Sequence, residues 1–242
     1  MQQEIDSLSD IRTDLVKIAN YNPKKSKFNL QEMINQRNKI DGLELLSKLD
    51  NNTIKACFFD PQYRGILDKM NYGNEVKTKE KRRSALLAMT EKDIEKFLMQ
   101  IDRVLMPSGH LFLWIDKFHL CEGVNDWFVK TSLEKVDLVV WEKTKIGMGY
   151  RTRNKCEFLI VLQKKPTKVK GVWSRHDIPN VWKEAVKTIE HPHAKPIDLQ
   201  TALIDAISQE GDLILDPAMG SGSVLTACQN IKRNFIGGDI NG

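Results

Sequence analysis

This 242-residue chain reads as an α/β protein, a mainly parallel, Rossmann-like sheet with helices on both faces. Three observations give that reading. Apolar runs of strand length alternate with amphipathic segments of helix length. An apolar strand near the C-terminus runs straight into a glycine loop and a helix, and a carboxylate, a proline and an aromatic residue stand at the end of an earlier buried strand.

In chain order, Ile5, Leu8, Ile11, Leu15 and Ile18 recur at three and four, which predicts an amphipathic helix over 4–19 ending before Asn22-Pro23. Lys24, Lys25 and Lys27 follow as a basic linker, so residues 1–27 are set apart from a main domain over 28–242. That domain is expected to hold a helix at Leu43–Leu49, a strand at Ile54–Phe59, a helix at Glu91–Leu105 and a strand at His110–Ile115. Strands at Val136–Trp141 and Phe158–Gln163, a helix at Ile197–Ser208, a strand at Asp212–Leu215, a helix from Ser223 and a strand at Asn234–Gly238 complete it. Residues 164–190 carry Pro166, Trp173, Pro179 and Trp182 with no clean period, and interrupt the alternation as a small basic insertion.

A hydrophobic content of 41% and a charged content of 29% are those of a globular protein, and no apolar run approaches the roughly 18 residues of a membrane span. Glu4, Asp6 and Asp10 precede any apolar stretch, unlike a secretory signal, so the expected location is cytoplasmic, with no membrane partner. Cys57, Cys121, Cys156 and Cys228 lie far apart with no Cys-x-x-Cys or Cys/His pairing. They are expected to be buried thiols, and no metal site is expected.

The net charge of +5 is mild, but its distribution is not. Lys143, Lys145, Arg151, Arg153, Lys155, Lys164, Lys165, Lys168, Lys170 and Arg175 face one acid within their own stretch, Glu157, and are interleaved with Tyr150, Phe158 and Trp173. Such a pattern suits phosphates and bases. A second run, Arg64, Lys69, Lys77, Lys79, Lys81, Arg82 and Arg83 against Asp68, Glu75 and Glu80, reads more readily as a solvated face.

The chemistry-bearing segments are two. In Leu213-Ile-Leu-Asp216-Pro217-Ala218-Met219-Gly220-Ser221-Gly222-Ser223, glycines let the backbone approach a ligand and the helix start favours an anionic group. Asp239 ends the next strand, where an α/β fold holds the hydroxyls of a ribose, so a nucleoside ligand is expected. Leu225 stands where a dinucleotide fingerprint wants a small residue, and no Gly-Lys-Ser/Thr follows, which argues against NAD and against a P-loop. By itself such a loop is also what a tight turn requires. The second segment is Phe58-Phe59-Asp60-Pro61-Gln62-Tyr63. Asp60 and the Pro61 carbonyl can each accept a hydrogen from an amino group, and Tyr63 offers a face for a flat base; taken alone the segment is also a proline turn with a surface tyrosine.

Together the two segments resemble the permuted β-class of S-adenosylmethionine-dependent amino-methyltransferases acting on DNA, whose Asp-Pro-Pro-Tyr precedes an Asp-Pro-Phe-x-Gly-Ser-Gly-Thr motif near the C-terminus. Asp60 to Tyr63 and Asp216 to Ser223 stand in that order. Ile40 to Leu46, whose Asp41 is similar to the acid that approaches the cofactor adenine, Val139 to Lys143 (the Trp-x-Lys strand), His191-Pro-His-Ala-Lys195-Pro196 and Asn234 to Asp239 extend the resemblance over roughly residues 40–242. It implies S-adenosylmethionine as cofactor, held by Asp41, Lys195, Pro196, Asp216, Pro217, Ala218, Gly220, Ser221, Gly222 and Asp239, with Asp60, Pro61, Gln62 and Tyr63 catalytic. Gln62 departs from the second proline of the motif, Ala218 from its Phe and Ser223 from its Thr. The Asp at the first position favours adenine N6 over cytosine N4 by resemblance, though either amine, in DNA or RNA, offers hydrogens to the same acceptors.

Methyl transfer from such a cofactor is expected to be direct. No cysteine follows a proline, which disfavours a covalent cytosine carbon-5 route. Reaching an amino group inside a duplex requires flipping the base. The expected DNA contacts are Lys143, Tyr150, Arg151, Arg153, Lys168, Lys170 and Arg175, with 164–190 as a target-recognition insertion. So small an insertion calls for a short recognition sequence or a second subunit. The candidate partners are therefore double-stranded DNA, a second copy of the chain and a companion restriction endonuclease.

Overall fold

The computed structural model describes residues 29–62, 89–147, 151–185 and 194–240. The chain divides into two units, Met1–Glu32 and Met33–Gly242. The helix expected over 4–19 lies outside the described residues, as do Tyr63, the basic run from Arg64 to Arg83, Tyr150 and His191 to His193.

The second unit is built on a seven-stranded sheet. Its strands are β1 (Ile54–Phe59), β2 (Leu105–Ile115), β3 (Leu133–Lys143), β4 (Cys156–Lys164), β5 (Val181–Glu184), β6 (Leu213–Asp216) and β7 (Asn234–Gly237), in the order β5-β3-β4-β2-β1-β6-β7. β4 alone runs against the rest, pairing antiparallel with both β2 and β3, while the other pairs are parallel. The near-continuous apolar run of β1, central and covered on both faces, is what a parallel strand requires.

Alternation along the strands sends neighbours to opposite faces. Phe58 stacks on Phe112 at 4.6 Å, on the face covered by α4 (Ile197–Ile207) and α5 (Ser223–Asn230) through Leu199, Leu203, Val224 and Ala227. Phe59 stacks on Phe97 at 5.0 Å, on the face covered by α2 (Glu91–Val104). Ile94, Phe97, Leu98, Ile101 and Val104 recur at helical spacing and are all buried, and Thr90 with Asp93 forms a capping box at the helix start. The short α1 (Gly42–Ser47) buries Leu45 and Leu46, and α3 (Lys117–Glu122) follows β2.

Three sequence expectations are corrected. Residues 164–190 are not only an interruption: Val181–Glu184 adds the edge strand β5 beside β3, and Trp173, Ile178 and Trp182 pack on the core. Four residues with one half-buried face carry too weak a period to be read as a strand. Strands β3 and β4 are longer than expected, because the residues added at their ends are mostly charged and exposed or half-buried rather than part of an apolar run. Finally, only Cys57 and Cys228 are buried, while Cys121 and Cys156 are exposed thiols. No helix among the described residues is long and apolar enough to cross a membrane.

His110, 3% exposed, lies between Phe112 and Trp173. Burial, aided by Lys55, lowers its pKa from 6.5 to about 4. The folded state therefore favours the neutral ring, so its contribution to stability is present above pH 6.5 and lost as the pH falls toward 4. His110→Phe is expected to flatten the acid side of the stability curve by up to about 3 kcal/mol, measured as urea midpoints at pH 7 and pH 4.5. An unchanged pH slope in the variant would show that the ring already titrates normally.

Candidate active site

The carboxyl ends of β1, β2, β6 and β7 open on one cavity of about 600 Å³. This is where α/β sheets bind ligands. It is lined by Asp41, Asp60, Gln62, Lys195, Asp216, Pro217, Ala218, Gly220, Ser221 and Asp239, so most of the residues singled out in the sequence are brought to one place. Of the remainder, Pro61 is buried beside it, Pro196 is the N-cap residue of α4 and Gly222 that of α5.

Local structure explains each position. Asp41 caps α1, its Oδ1 accepting from the N–H groups of Leu43 at 2.9 Å and Glu44 at 3.1 Å. The turn after β6 is set by Asp216, whose Oδ1 accepts from the Ala218 N–H at 3.1 Å, and by Gly222, at φ +76° in the left-handed region. Arg37 ties the glycine loop down, donating to the carbonyls of Gly220 at 2.6 Å and Ser221 at 3.0 Å. Pro196 offers no side-chain cap to α4. The buried Glu184, at the end of β5, accepts from the N–H groups of Asp198 and Leu199 instead, both at 3.0 Å.

Electrostatically the site is a set of carboxylates, of which Asp216 alone is buried, with Lys195 set among them. Asp216 is 6% exposed, and burial, with Asp60 and Asp239 nearby, raises its pKa to about 8 against the pull of the Ala218 N–H. Lys195 lies 2.9 Å from Asp60 Oδ2 and 2.8 Å from Glu157 Oε2, with its Nζ 4.9 Å from the centre of the Trp114 ring. Burial alone would lower its pKa, but the two carboxylates outweigh that and raise it, so the ammonium stays charged. Glu157 is likewise held at about 2, burial notwithstanding, by Lys195 and Lys143.

Two residues at this site escaped the sequence reading. Glu157 figured there only as the acid within a basic run. Gln200 is 1% exposed and lines the cavity, and its Oε1 has no hydrogen-bond partner among the described residues. The available signal was its position on α4, in line with the buried Leu203, Ile204 and Ile207 on the helix's apolar face.

The expected DNA contacts are not brought together. β4 runs backward, so its start at Cys156 lies at the cavity edge and its end at Lys164 at the opposite edge. The Arg151 and Arg153 loop is therefore on the cavity side, whereas Lys168 and Lys170 follow the far end, where Gln163 binds the Ser108 and Lys168 carbonyls. Arg175 is paired with Asp177 at 2.6 Å and Asp205 at 3.5 Å, and Lys143 is engaged with Glu157. Asp177 stands just beyond the basic stretch and Glu157 within it, whereas Asp205 arrives from α4, which a count along the stretch cannot include.

A family model described as DNA methylase matches residues 54–242, taking in both the Asp60 segment and the glycine loop. The chain belongs to the DNA methylase family. Its curated relatives include the Type II methyltransferase M.HhaII of Haemophilus parahaemolyticus, 52% identical over 208 residues that cover 86% of this chain and 91% of the relative. The Type II methyltransferase M1.MboII of Moraxella bovis is 25% identical, covering 86% and 92% of the two chains. Among solved structures, the M1.HpyAVI–SAM complex matches with a TM-score of 0.59 at 20% identity over 84% and 92% of the chains. The cytosine-N4-specific PvuII DNA methyltransferase matches with a TM-score of 0.62 at 14% identity over 85% and 81%. These likenesses establish a class I methyltransferase fold. The methylase acts on DNA with S-adenosylmethionine as its cofactor.

Proposed function

We propose that this methylase transfers the methyl group to the exocyclic N6 of a flipped adenine within a specific DNA sequence, as the modification enzyme of a Type II restriction-modification pair. The observation that carries the reading is Asp60, a carboxylate at the end of the central strand, held by Lys195 on the lip of the cavity that Asp216 and Asp239 also line. The 52% identity to M.HhaII supports the Type II assignment.

The cavity suits the cofactor. Asp60, Asp216 and Asp239 surround it with carboxylates, and Gln200 Oε1 is a buried acceptor with no donor among the described residues, which together fit a ligand carrying an ammonium and a sulfonium. When bound, S-adenosylmethionine supplies an electrophilic methyl. Asp239 would take the ribose hydroxyls, Asp216 and Gln200 the ammonium end, and the loop from Pro217 to Gly222 with Ala218 and Asp41 the remaining contacts. Asp60 and the Pro61 carbonyl would each accept one amine hydrogen, turning the nitrogen lone pair toward the methyl. With the methyl donor bound, the amine held by Asp60 and the Pro61 carbonyl would take the methyl, and the proton it gives up would pass to solvent at the open side of the cavity. Positioning and electrostatics supply the rate. Gln62, whose carbonyl accepts from the Met89 N–H at 2.7 Å, and Tyr63 would border the base.

DNA would lie across the carboxyl edge of the sheet, with Arg151 and Arg153 beside it. Incubation with methylation-free DNA and labelled S-adenosylmethionine, followed by nucleoside mass analysis, is expected to yield N6-methyladenine. N4-methylcytosine would overturn the adenine assignment.

Cofactor binding is expected to depend on pH through Asp216. With its pKa raised to about 8, the group is mostly protonated at pH 7, and a cationic ligand favours its ionised form. Affinity should therefore rise from pH 6 to pH 8 by about tenfold or more, with proton release on binding, and Asp216→Asn should abolish the slope. Calorimetry in buffers of different ionisation enthalpy measures both; a flat profile would place the ammonium elsewhere.

A further inference from the structure

The Trp141-x-Lys143 strand and Glu157 take no part in the chemistry set out above, yet both lead into it. Four charges alternate in a row across the cavity edge: Asp60 at the end of β1, Lys195 just before α4, Glu157 at the start of β4 and Lys143 at the end of β3. Glu157 Oε2 holds Lys195 at 2.8 Å while Oε1 holds Lys143, whose Nζ sits 4.9 Å from the centre of the Trp141 ring. Trp141 is itself fixed, its Nε1 donating to the Glu184 carbonyl at 3.0 Å.

We propose that Glu157, backed by Lys143, is a positioning residue for methyl transfer, fixing the Lys195 ammonium that orients the Asp60 carboxylate. The inference rests on Asp60 being the acceptor for the target amine. A lysine has a flexible four-carbon stem, and Asp60, with a side chain 39% exposed, is a weak anchor for it. Glu157 supplies the second anchor and the Trp114 ring the third, so Lys195, 14% exposed, has one place to be. The carboxylate it holds thereby gains a fixed plane, and an amine hydrogen bond depends on that plane.

Charge adds a second reason. Two carboxylates and two ammoniums sum to zero beside a nitrogen on which positive charge develops. Without Glu157, two ammoniums would face one carboxylate, drawing electron density from the acceptor and opposing that charge.

The test compares Asp60→Ala, Glu157→Gln and Glu157→Asp with wild type, using unmethylated genome-amplified DNA and labelled S-adenosylmethionine. For Glu157→Gln, kcat is expected to fall about 100-fold while KM for cofactor and DNA stays within about threefold. Glu157→Asp should recover at least about tenfold of the loss. A purely structural tie would lower the melting temperature but leave kcat of the folded fraction unchanged, and that result overturns the proposal. So does a rise in cofactor KM alone, which would assign the pair to binding. Should Glu157→Gln not fold, Lys143→Met decides in its place: kcat reduced about tenfold at constant KM supports the proposal, and unchanged kcat overturns it. An active Asp60→Ala would instead sink the reading of Asp60 itself.

Discussion

Asp60→Ala is expected to reduce methyl transfer by about 10³-fold while S-adenosylmethionine still binds with a Kd within about threefold of wild type. The magnitude follows from what the carboxylate does: a preorganised acceptor, already charged and already oriented by Lys195, meets the amine without reorganisation. Removing it does not strand a buried charge. Lys195 keeps Glu157 at 2.8 Å, so the fold should survive, and melting temperature is the control. Asp60→Asn should fall between the two, because its amide still offers one acceptor oxygen of the right shape but no charge. Single-turnover transfer of label to DNA reads the chemistry and calorimetry reads the cofactor. Loss of cofactor binding with the carboxylate would place Asp60 in the cofactor half of the cavity, and retained transfer would remove it from the mechanism.

Asp60 was legible because two independent rules converge on it. A near-continuous apolar run at Ile54–Phe59 marks a central parallel strand, and parallel strands present their ligands at the carboxyl end. The glycine loop was legible for a similar reason, since Gly222 adopts φ +76° and the chain could turn there at little cost only with glycine. The reach of the charge run was not legible. Sequence set ten bases from Lys143 to Arg175 against Glu157, but folding delivers Glu142 to Lys155, Glu134 to Lys165 and Asp205 to Arg175. Lys164 is spent inside the protein, on the carbonyls of Asp102 at 2.5 Å and Leu105 at 2.8 Å. A local count of charge measures potential only when no distant partner arrives, and strand reversal at β4 brings several. The same reversal separates Lys168 and Lys170 from Arg151, which the chain places only 17 and 19 positions away. Gln200 was missed because helical periodicity marks a buried face without saying whether that face meets core or ligand.

Gly42→Ala is expected to destabilise the methylase by about 3 kcal/mol or more and to lower its melting temperature by about 6 to 12 °C. The opposite sign would be expected from helix propensity alone, because alanine in place of glycine inside a helix gains about 0.5 to 1 kcal/mol. Packing decides against it. A Cβ on Gly42 would stand 2.1 Å from the Pro217 carbonyl oxygen and 2.7 Å from the Phe97 ring. The ring is a side chain that can turn, but the carbonyl belongs to the turn after Asp216 and cannot move without carrying the loop with it. Phe97→Leu in the same chain should therefore restore only a minor part of the lost stability. Because Pro217 lines the cavity, the displaced loop should also weaken cofactor binding by about tenfold, measured below the lowered melting temperature. Full rescue by Phe97→Leu would show that the aromatic ring, not the close approach of the two backbones, is what makes position 42 a glycine; retained stability would mean that α1 and the cofactor loop can separate, and with them the two halves of the cavity floor.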